Sequence, residues 1–321
     1  MENRRGFIKT CMTGCAIGCV VMAAPGLSVY ACASRPQNPI TKRNPKRALV
    51  VWYSQTGHTE RVGRIIRHAL EKAGLTADGR DYREIDKSSL GQYDLIAIGT
   101  PVHYMDVPVN LQAWIKTLPR IEGISVASYV TFGGKGDGQH NTACGLLERM
   151  TEIGGAAAGI ALLGNMSTFA PTWSTGNAER ILAFRDRPNE KTYQQARTFA
   201  ESILANVAAG RTYKIDREFG LDSLMGIFPQ IGLTKLMITN HHIDTSLCIK
   251  CGTCVKKCPV GAIHLQAGSV DSRRCIACIG CVNNCPTQAM KMNFIGKPVY
   301  GFKEFLKRNR IEIAEPSELK A

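Results

Sequence analysis

From residue 48 onward the chain alternates short apolar runs with segments whose apolar positions recur at helical spacing. Residues 48–53 are consecutively apolar, as a strand buried on both faces requires. Behind them Val62, Ile65, Ile66, Ala69 and Leu70 fall on one helical stripe. Residues 94–99, 125–132 and 157–163 read as further strands, and 191–209 as a closing helix. Buried strands separated by amphipathic helices predict a parallel sheet with helices on both faces, and ligands then sit at the carboxyl ends of the strands. The pattern fades over 211–240, where Phe219, Leu224, Ile227, Phe228 and Ile231 mark short apolar pieces of an interdomain linker. At the far end, 301–321 reads as a short helix and a polar tail.

Cysteine changes the picture. Of 13 cysteines, eight form two runs with one spacing: Cys248, Cys251, Cys254, Cys258-Pro259 and Cys275, Cys278, Cys281, Cys285-Pro286, offset by 27 residues. This is the spacing of bacterial ferredoxins that carry two [4Fe–4S] clusters. Three thiolates two residues apart curl around one cluster, and the fourth, ahead of proline, reaches the other. Cys248, Cys251, Cys254 and Cys285 are thus expected to hold one cluster, and Cys275, Cys278, Cys281 and Cys258 the other. Zinc sites also use paired cysteines but stop at four ligands per ion. A disulfide framework would not require the repeated spacing with proline after each fourth cysteine.

The first strand ends in Ser54-Gln55-Thr56-Gly57-His58-Thr59, and a helix follows. Backbone N–H groups at the helix start and the hydroxyls of Ser54, Thr56 and Thr59 converge as phosphate donors. The loop lacks both the glycine fingerprint of dinucleotide sites and the lysine of a nucleotide triphosphate loop. It suits a phosphate monoester held without a countercharge. Thr100-Pro101-Val102-His103-Tyr104 and Thr131-Phe132-Gly133-Gly134 follow the next two strands and are expected to close on the same ligand.

At these residues the sequence resembles the flavodoxin family over about 47–209. The loop at 54–59 matches that family's FMN phosphate loop, and 99–104 and 131–134 resemble its two isoalloxazine loops. With the cysteine runs included, the chain is similar to the flavodoxin–ferredoxin fusion proteins of anaerobic bacteria. The resemblance implies a flavodoxin-like doubly wound α/β sheet, followed by a small α+β ferredoxin-like two-cluster domain. It also implies FMN and two [4Fe–4S] clusters in one electron-transfer protein. Tyr104 is expected to stack on the flavin, with His103 at a polar edge. Trp52 and Tyr53 read as core, and Trp173 as a candidate lid. Gly133 to Gly138 would let the backbone approach the ring, with Lys135 and Asp137 placed to tune it only if they point inward.

The net charge of +14 first suggests an anionic partner. However, residues 1–47 hold eight Lys/Arg against one Glu, and no basic stripe interleaved with aromatics appears elsewhere, so nucleic acid is not expected. Lys250, Lys256, Lys257, Arg273 and Arg274 flank the cluster ligands, either as a solvated face or as a surface for an acidic redox partner. Cys144 reads as a small buried residue, and His241-His242 as part of an exposed linker.

The leader has Arg4-Arg5-Gly6-Phe7-Ile8-Lys9 and then no charge until Arg35. It resembles a twin-arginine export signal, a route suited to cargo that travels folded with its clusters in place. Export would place the protein in the periplasm or on the outer face of the cytoplasmic membrane. Val29-Tyr30-Ala31-Cys32 resembles a lipobox; lipidated Cys32 would tether the chain, whereas simple cleavage would release it. The expected organisation is signal 1–34, linker 35–46, flavodoxin-like domain 47–210, linker 211–240, ferredoxin-like domain 241–295 and tail 296–321. The expected function is electron relay between FMN, the clusters and external redox proteins. Direct reduction of a small substrate, or service as an accessory subunit of a membrane redox complex, are the alternatives.

Overall fold

The computed structural model describes residues 37–134, 138–218 and 230–320, and the backbone of two strands upstream. Arg4-Arg5, Lys135, Asp137, and Phe219, Leu224, Ile227 and Phe228 lie outside the described residues. In the leading unit, β1 (Cys19–Ala24) and β2 (Leu27–Cys32) pair antiparallel, with Cys19 opposite Cys32. No helix among the described residues is long and apolar enough to cross a membrane.

The second unit, residues 38–321, contains both cofactor-type modules. Its first sheet is parallel, in the order β4-β3-β5-β6-β7. The strands are β3 (Arg47–Trp52), β4 (Thr76–Asp81), β5 (Leu95–Pro101), β6 (Ser125–Phe132) and β7 (Ala156–Gly164). Chain direction across the sheet reverses beside β3, so a crevice opens between the ends of β3 and β5. Alternation along β3 feeds two cores: Ala48, Val50 and Trp52 pack on one face, Leu49 and Val51 on the other. Helix α1 (His58–Lys72) buries Val62, Ile65, Ile66 and Leu70 on the first face. The other helices of this module are α2 (Val109–Ile115), α3 (Gly138–Glu152), α4 (Pro171–Ser174), α5 (Ala178–Leu182) and α6 (Glu190–Ala209).

Helix α7 (Gln230–Met237) leads into a small antiparallel sheet, order β12-β11-β8-β10-β9. Its strands are β8 (Ile238–Ile243), β9 (Ile263–His264), β10 (Ser269–Val270), β11 (Met290–Phe294) and β12 (Lys297–Pro298). Two five-residue helices, α8 (Thr253–Lys257) and α9 (Gly280–Asn284), follow the first cysteines of each run. The sequence repeat is a backbone repeat as well. Lys250 and Ala277, Gly252 and Ile279, Gly261 and Gln288, Gly268 and Ile295 all have positive φ, each pair 27 residues apart.

Several segments read as linkers or tail are packed structure. Ile40 is buried and donates its N–H to Thr212 Oγ1 at 2.9 Å, and Tyr213 donates its N–H to the Ala157 carbonyl. His241 and His242 lie in β8 rather than on an exposed linker. Beyond residue 296, α10 (Phe302–Asn309) buries Phe302 and Phe305, and the last residues return to the first module. There Glu315 pairs with Arg61, Glu318 with Arg197, and the Ala314 carbonyl accepts from Tyr193.

The two modules share one core. Met166, Ala170 and Trp173 from the first pack with Ile279, Val282, Met290 and Phe305 from the second. Trp173, expected as a lid, is 3% exposed, lies 4.5 Å from the Phe305 ring, and donates Nε1–H to the Tyr300 carbonyl. Fully buried Asn283 donates to the Thr168 carbonyl at 2.8 Å and accepts from the Phe302 N–H at 3.0 Å.

Two substitutions test this packing. Phe305→Ala should destabilise the protein by about 3–5 kcal/mol through lost burial and a residual cavity. The turn Ile295-Gly296 joins β11 to β12 with φ 47° and 73°, a geometry that favours Asn-Gly and strains a branched side chain. Because Ile295 is 64% exposed, Ile295→Asn should raise stability by roughly 0.5–1 kcal/mol. Denaturant unfolding of the purified protein reads both; a destabilised Ile295→Asn would refute the strain assignment.

Candidate cofactor sites

At the carboxyl end of the parallel sheet lies a cavity of about 330 Å3. Four loops wall it: 54–59 after β3, 101–105 after β5, 131–134 at the end of β6, and 165–169 after β7. The local sequence explains the first. Tyr53 N–H still bonds to the Gly99 carbonyl, then Gly57 turns at φ 92° and α1 begins, with Arg61 N–H on the Gly57 carbonyl. Gly57 itself makes the turn without lining the cavity.

Donors and acceptors inside this wall are short of partners. Ser54 Oγ, both ring nitrogens of His58 and of His103, and Asn165 Oδ1 are buried without a hydrogen bond. Buried polar groups are otherwise nearly always paired, so this concentration marks a place for a polar ligand. Thr59 and Thr131 hydroxyls meet at 2.8 Å and tie two of the loops together. Among the described residues lining the cavity none is Lys, Arg, Asp or Glu. Burial, with the Arg61 guanidinium adding to it, pushes the His58 pKa down to about 3, and burial pushes His103 down to about 4. Both imidazoles are therefore neutral near pH 7. A phosphate here would meet hydroxyls, backbone amides at the α1 start and a neutral ring, as the lysine-free loop predicts.

Of the residues expected at this site, Ser54, Gln55, Thr56, His58, Thr59, Pro101, Val102, His103, Tyr104, Thr131, Phe132, Gly133 and Gly134 line the cavity. Thr100 does not: it is fully buried behind the wall, its hydroxyl donating to the Pro101 carbonyl. Gly133 fits because of its neighbour; a Cβ there would lie 1.9 Å from the Ser167 nitrogen. The loop at 165–169 carries no motif in the sequence that marks it as part of the wall, although it ends a recognised strand. Met105, Gln139 and Gln230 line the cavity as well, and so does Cys278, expected only as a cluster ligand.

Cys278 brings the two modules to one place. It lines this cavity and also belongs to the second cysteine run. Tyr104, at φ 53°, reaches across the same seam, its hydroxyl donating to the Ala277 carbonyl at 2.9 Å. Its ring lies 4.5 Å from that of His103 and edge-on to Phe169. Asn284 Nδ2 donates to the Gln55 carbonyl at 2.9 Å, pinning the phosphate loop to α9.

The eight cysteines gather in two quartets that cross the runs. Cys258 joins Cys275, Cys278 and Cys281 around one space, and Cys285 joins Cys248, Cys251 and Cys254 around another. Each thiolate of the first quartet is close enough to raise the pKa of Cys281. No three His, Cys, Asp or Glu among the described residues converge as one metal ion would require. Backbone N–H groups point at sulfur: Lys250 to Cys248 and Ala277 to Cys275 at 3.4 Å, and Ala262 to Cys258 at 3.2 Å. Burial pushes the Cys278 thiol up to about 12. Cys144, by contrast, is a lone buried thiol raised to about 11 by burial, 3.5 Å from His140 Nε2.

Residues 50–181 match the Flavodoxin family model, and residues 241–264 match the 4Fe-4S binding domain. The second cysteine run lies beyond the latter match. No curated protein matches the chain. Among solved structures, a flavodoxin from the domain Archaea is similar at 16% identity and a TM-score of 0.37, covering 50% of this chain and 98% of its own. The flavodoxin of Streptococcus pneumonia TIGR4 gives 16%, 0.39, 50% and 99%. The rubredoxin oxygen:oxidoreductase of Desulfovibrio gigas gives 17%, 0.39, 53% and 38%. The chain thus carries a flavodoxin domain followed by a 4Fe-4S ferredoxin-type domain. The first implies FMN, the second with its eight cysteines implies iron–sulfur clusters, and together they suggest electron transfer.

Neutral burial of His58 and His103 has a measurable consequence. Their folded pKa values lie below the ordinary 6.5, so between about 3 and 6.5 the unfolded chain binds more protons. Stability should hold above pH 6.5 and fall as pH drops toward 4. Unfolding midpoints measured across that range should decline less steeply in His103→Gln than in the parent. An unchanged slope would exclude the buried neutral state.

Proposed function

We propose that this chain relays electrons between FMN, held at the end of the parallel sheet, and two [4Fe–4S] clusters, and that the cluster of the second run is the one beside the flavin. One observation carries the reading: Cys278, a ligand-type residue of that run, forms part of the flavin cavity wall. When bound, FMN exchanges two electrons, one at a time, and each cluster exchanges one.

The chain's own residues supply position and burial. Ser54, Thr56 and Thr59 would hold the phosphate, and Gly133 with the 165–169 loop would let backbone N–H groups approach the ring. Tyr104 would cover the ring on one side, and it ties its loop to Ala277, next to Cys278. Asn284 and Asn283 keep the cluster loop against Gln55 and Thr168. The ligand sets are the crossed ones, with Cys258 serving the flavin-side cluster and Cys285 the other. The shared core removes the need for diffusion between the two modules, a limiting case of high effective concentration. The arginine pair of the leader supports export of the folded, loaded protein, with its working side outside the cytoplasm.

Protein purified without oxygen should contain about one FMN and, by the ligand count, about eight iron atoms per chain. Four irons, or zinc in their place, would defeat the two-cluster reading. The crossing is tested separately. Cys258→Ala should disturb the cluster next to the flavin and slow electron exchange with FMN after flash reduction. Cys285→Ala should disturb the other cluster and leave that exchange within about twofold. The reverse outcome would mean that the runs do not cross.

A further inference from the structure

The two quartets differ in exposure. Cys278 and Cys281 lie at the seam or in the shared core, whereas Cys251 is the one exposed cysteine of the described eight. Within four residues of Cys251 along the chain three apolar side chains face solvent: Leu247 (44%), Ile249 (63%) and Val255 (41%). An apolar ring around an exposed ligand is the kind of surface that loses water on contact with a partner.

Cations frame this ring. Lys250 and Lys256 are exposed beside it, and Lys303 of α10 is exposed and near enough to Cys251 to act on it electrostatically. From Lys256 and Lys257 a groove of about 380 Å3 runs between α8 and the α1–β4 edge of the flavodoxin module. Arg64, Arg67 and Arg83 line it, opposed by Glu60, Asp81 and Glu84. Glu60 is taken by Arg64 and Asp81 by Arg83, and Arg83 also caps the Lys256 carbonyl at 2.8 Å. Asp244, near the ring, is bound to Ser246. The lysines of α8 have no carboxylate among the described ion pairs, so the surface is cationic where it meets the apolar ring.

We propose that this surface is the docking site for an acidic one-electron carrier protein, which exchanges its electron with the first-run cluster while the flavin exchanges through the second-run cluster. The proposal deepens the relay reading and rests on it for the direction of the wire. Acidic side chains of the carrier would meet Lys256, Lys257 and Lys303, and its apolar contact area would cover Leu247, Ile249 and Val255. One electron leaves the carrier's metal centre and reduces the first-run cluster by one; no bond forms or breaks. Opposite charge speeds the encounter, an effect of 10- to 1,000-fold that salt removes.

The probe is a plant-type [2Fe–2S] ferredoxin, an acidic carrier, reduced and mixed anaerobically with the oxidised, fully loaded protein. The second-order rate should fall steeply with ionic strength. Lys256→Glu/Lys257→Glu should lower it at least tenfold at low salt and flatten the salt dependence, and Lys303→Glu should act in the same direction. Arg273→Glu/Arg274→Glu, on the second-run side, should stay within twofold of the parent. Docking here is overturned if the α8 double variant stays within twofold, or if the Arg273/Arg274 variant loses as much. Flash reduction of FMN in the same samples reads the internal step independently. Its absence in the parent would defeat the relay while leaving the docking result intact.

Discussion

Asn283 holds the molecule together at the point where function requires it. Its amide is fully buried and satisfied at both ends, giving to the flavodoxin loop at Thr168 and taking from Phe302 at the start of α10. It sits between Cys281 and Cys285, one ligand-type residue from each quartet. Removing it would strand a buried carbonyl and a buried N–H, each costing about 1–3 kcal/mol. A satisfied polar anchor in an otherwise apolar core also fixes register, because no neighbouring arrangement satisfies the same groups. The placement of Cys278 in the flavin cavity and of Tyr104 on Ala277 follows from that register.

Much of this was legible in the sequence because it depended on local pattern. The buried strands β3, β5, β6 and β7 are nearly uninterrupted apolar runs, and the helix stripe behind Ser54–Thr59 has a clear period. The cysteine spacing is local in the same way, confined to a few residues around each turn. Strand β4 went unread: Thr-Ala-Asp-Gly-Arg-Asp lies at the sheet edge and pairs on one side only, so half of it faces water. Its Gly79 makes room for Trp52, a requirement visible only in three dimensions. The same holds for Trp173 and the C-terminal helix. Trp173 and Phe305, which pack together, are more than 100 residues apart, and an aromatic in a loop has the same letter whether it covers a ligand or a neighbouring module.

The repeat in the second module is unequal in a way that composition does not show. Where the first half uses glycine at three of its left-handed positions, the second half uses Ile279, Gln288 and Ile295. Ile279 is buried in the shared core, so its side chain offsets the backbone cost with packing. The first half faces outward and needs no such side chain. Two copies of one motif have thus been given different tasks, one to face the flavodoxin module and one to face solvent.

The flavin cavity has one further consequence. One side of it is closed by Cys278, which also lines the space between the cysteines of the second run. The two sites share a wall, so a group bound at either that shifted this wall would, by thermodynamic reciprocity, change the affinity of the other site by the same factor. The seam between the modules is in that sense a single piece of both sites.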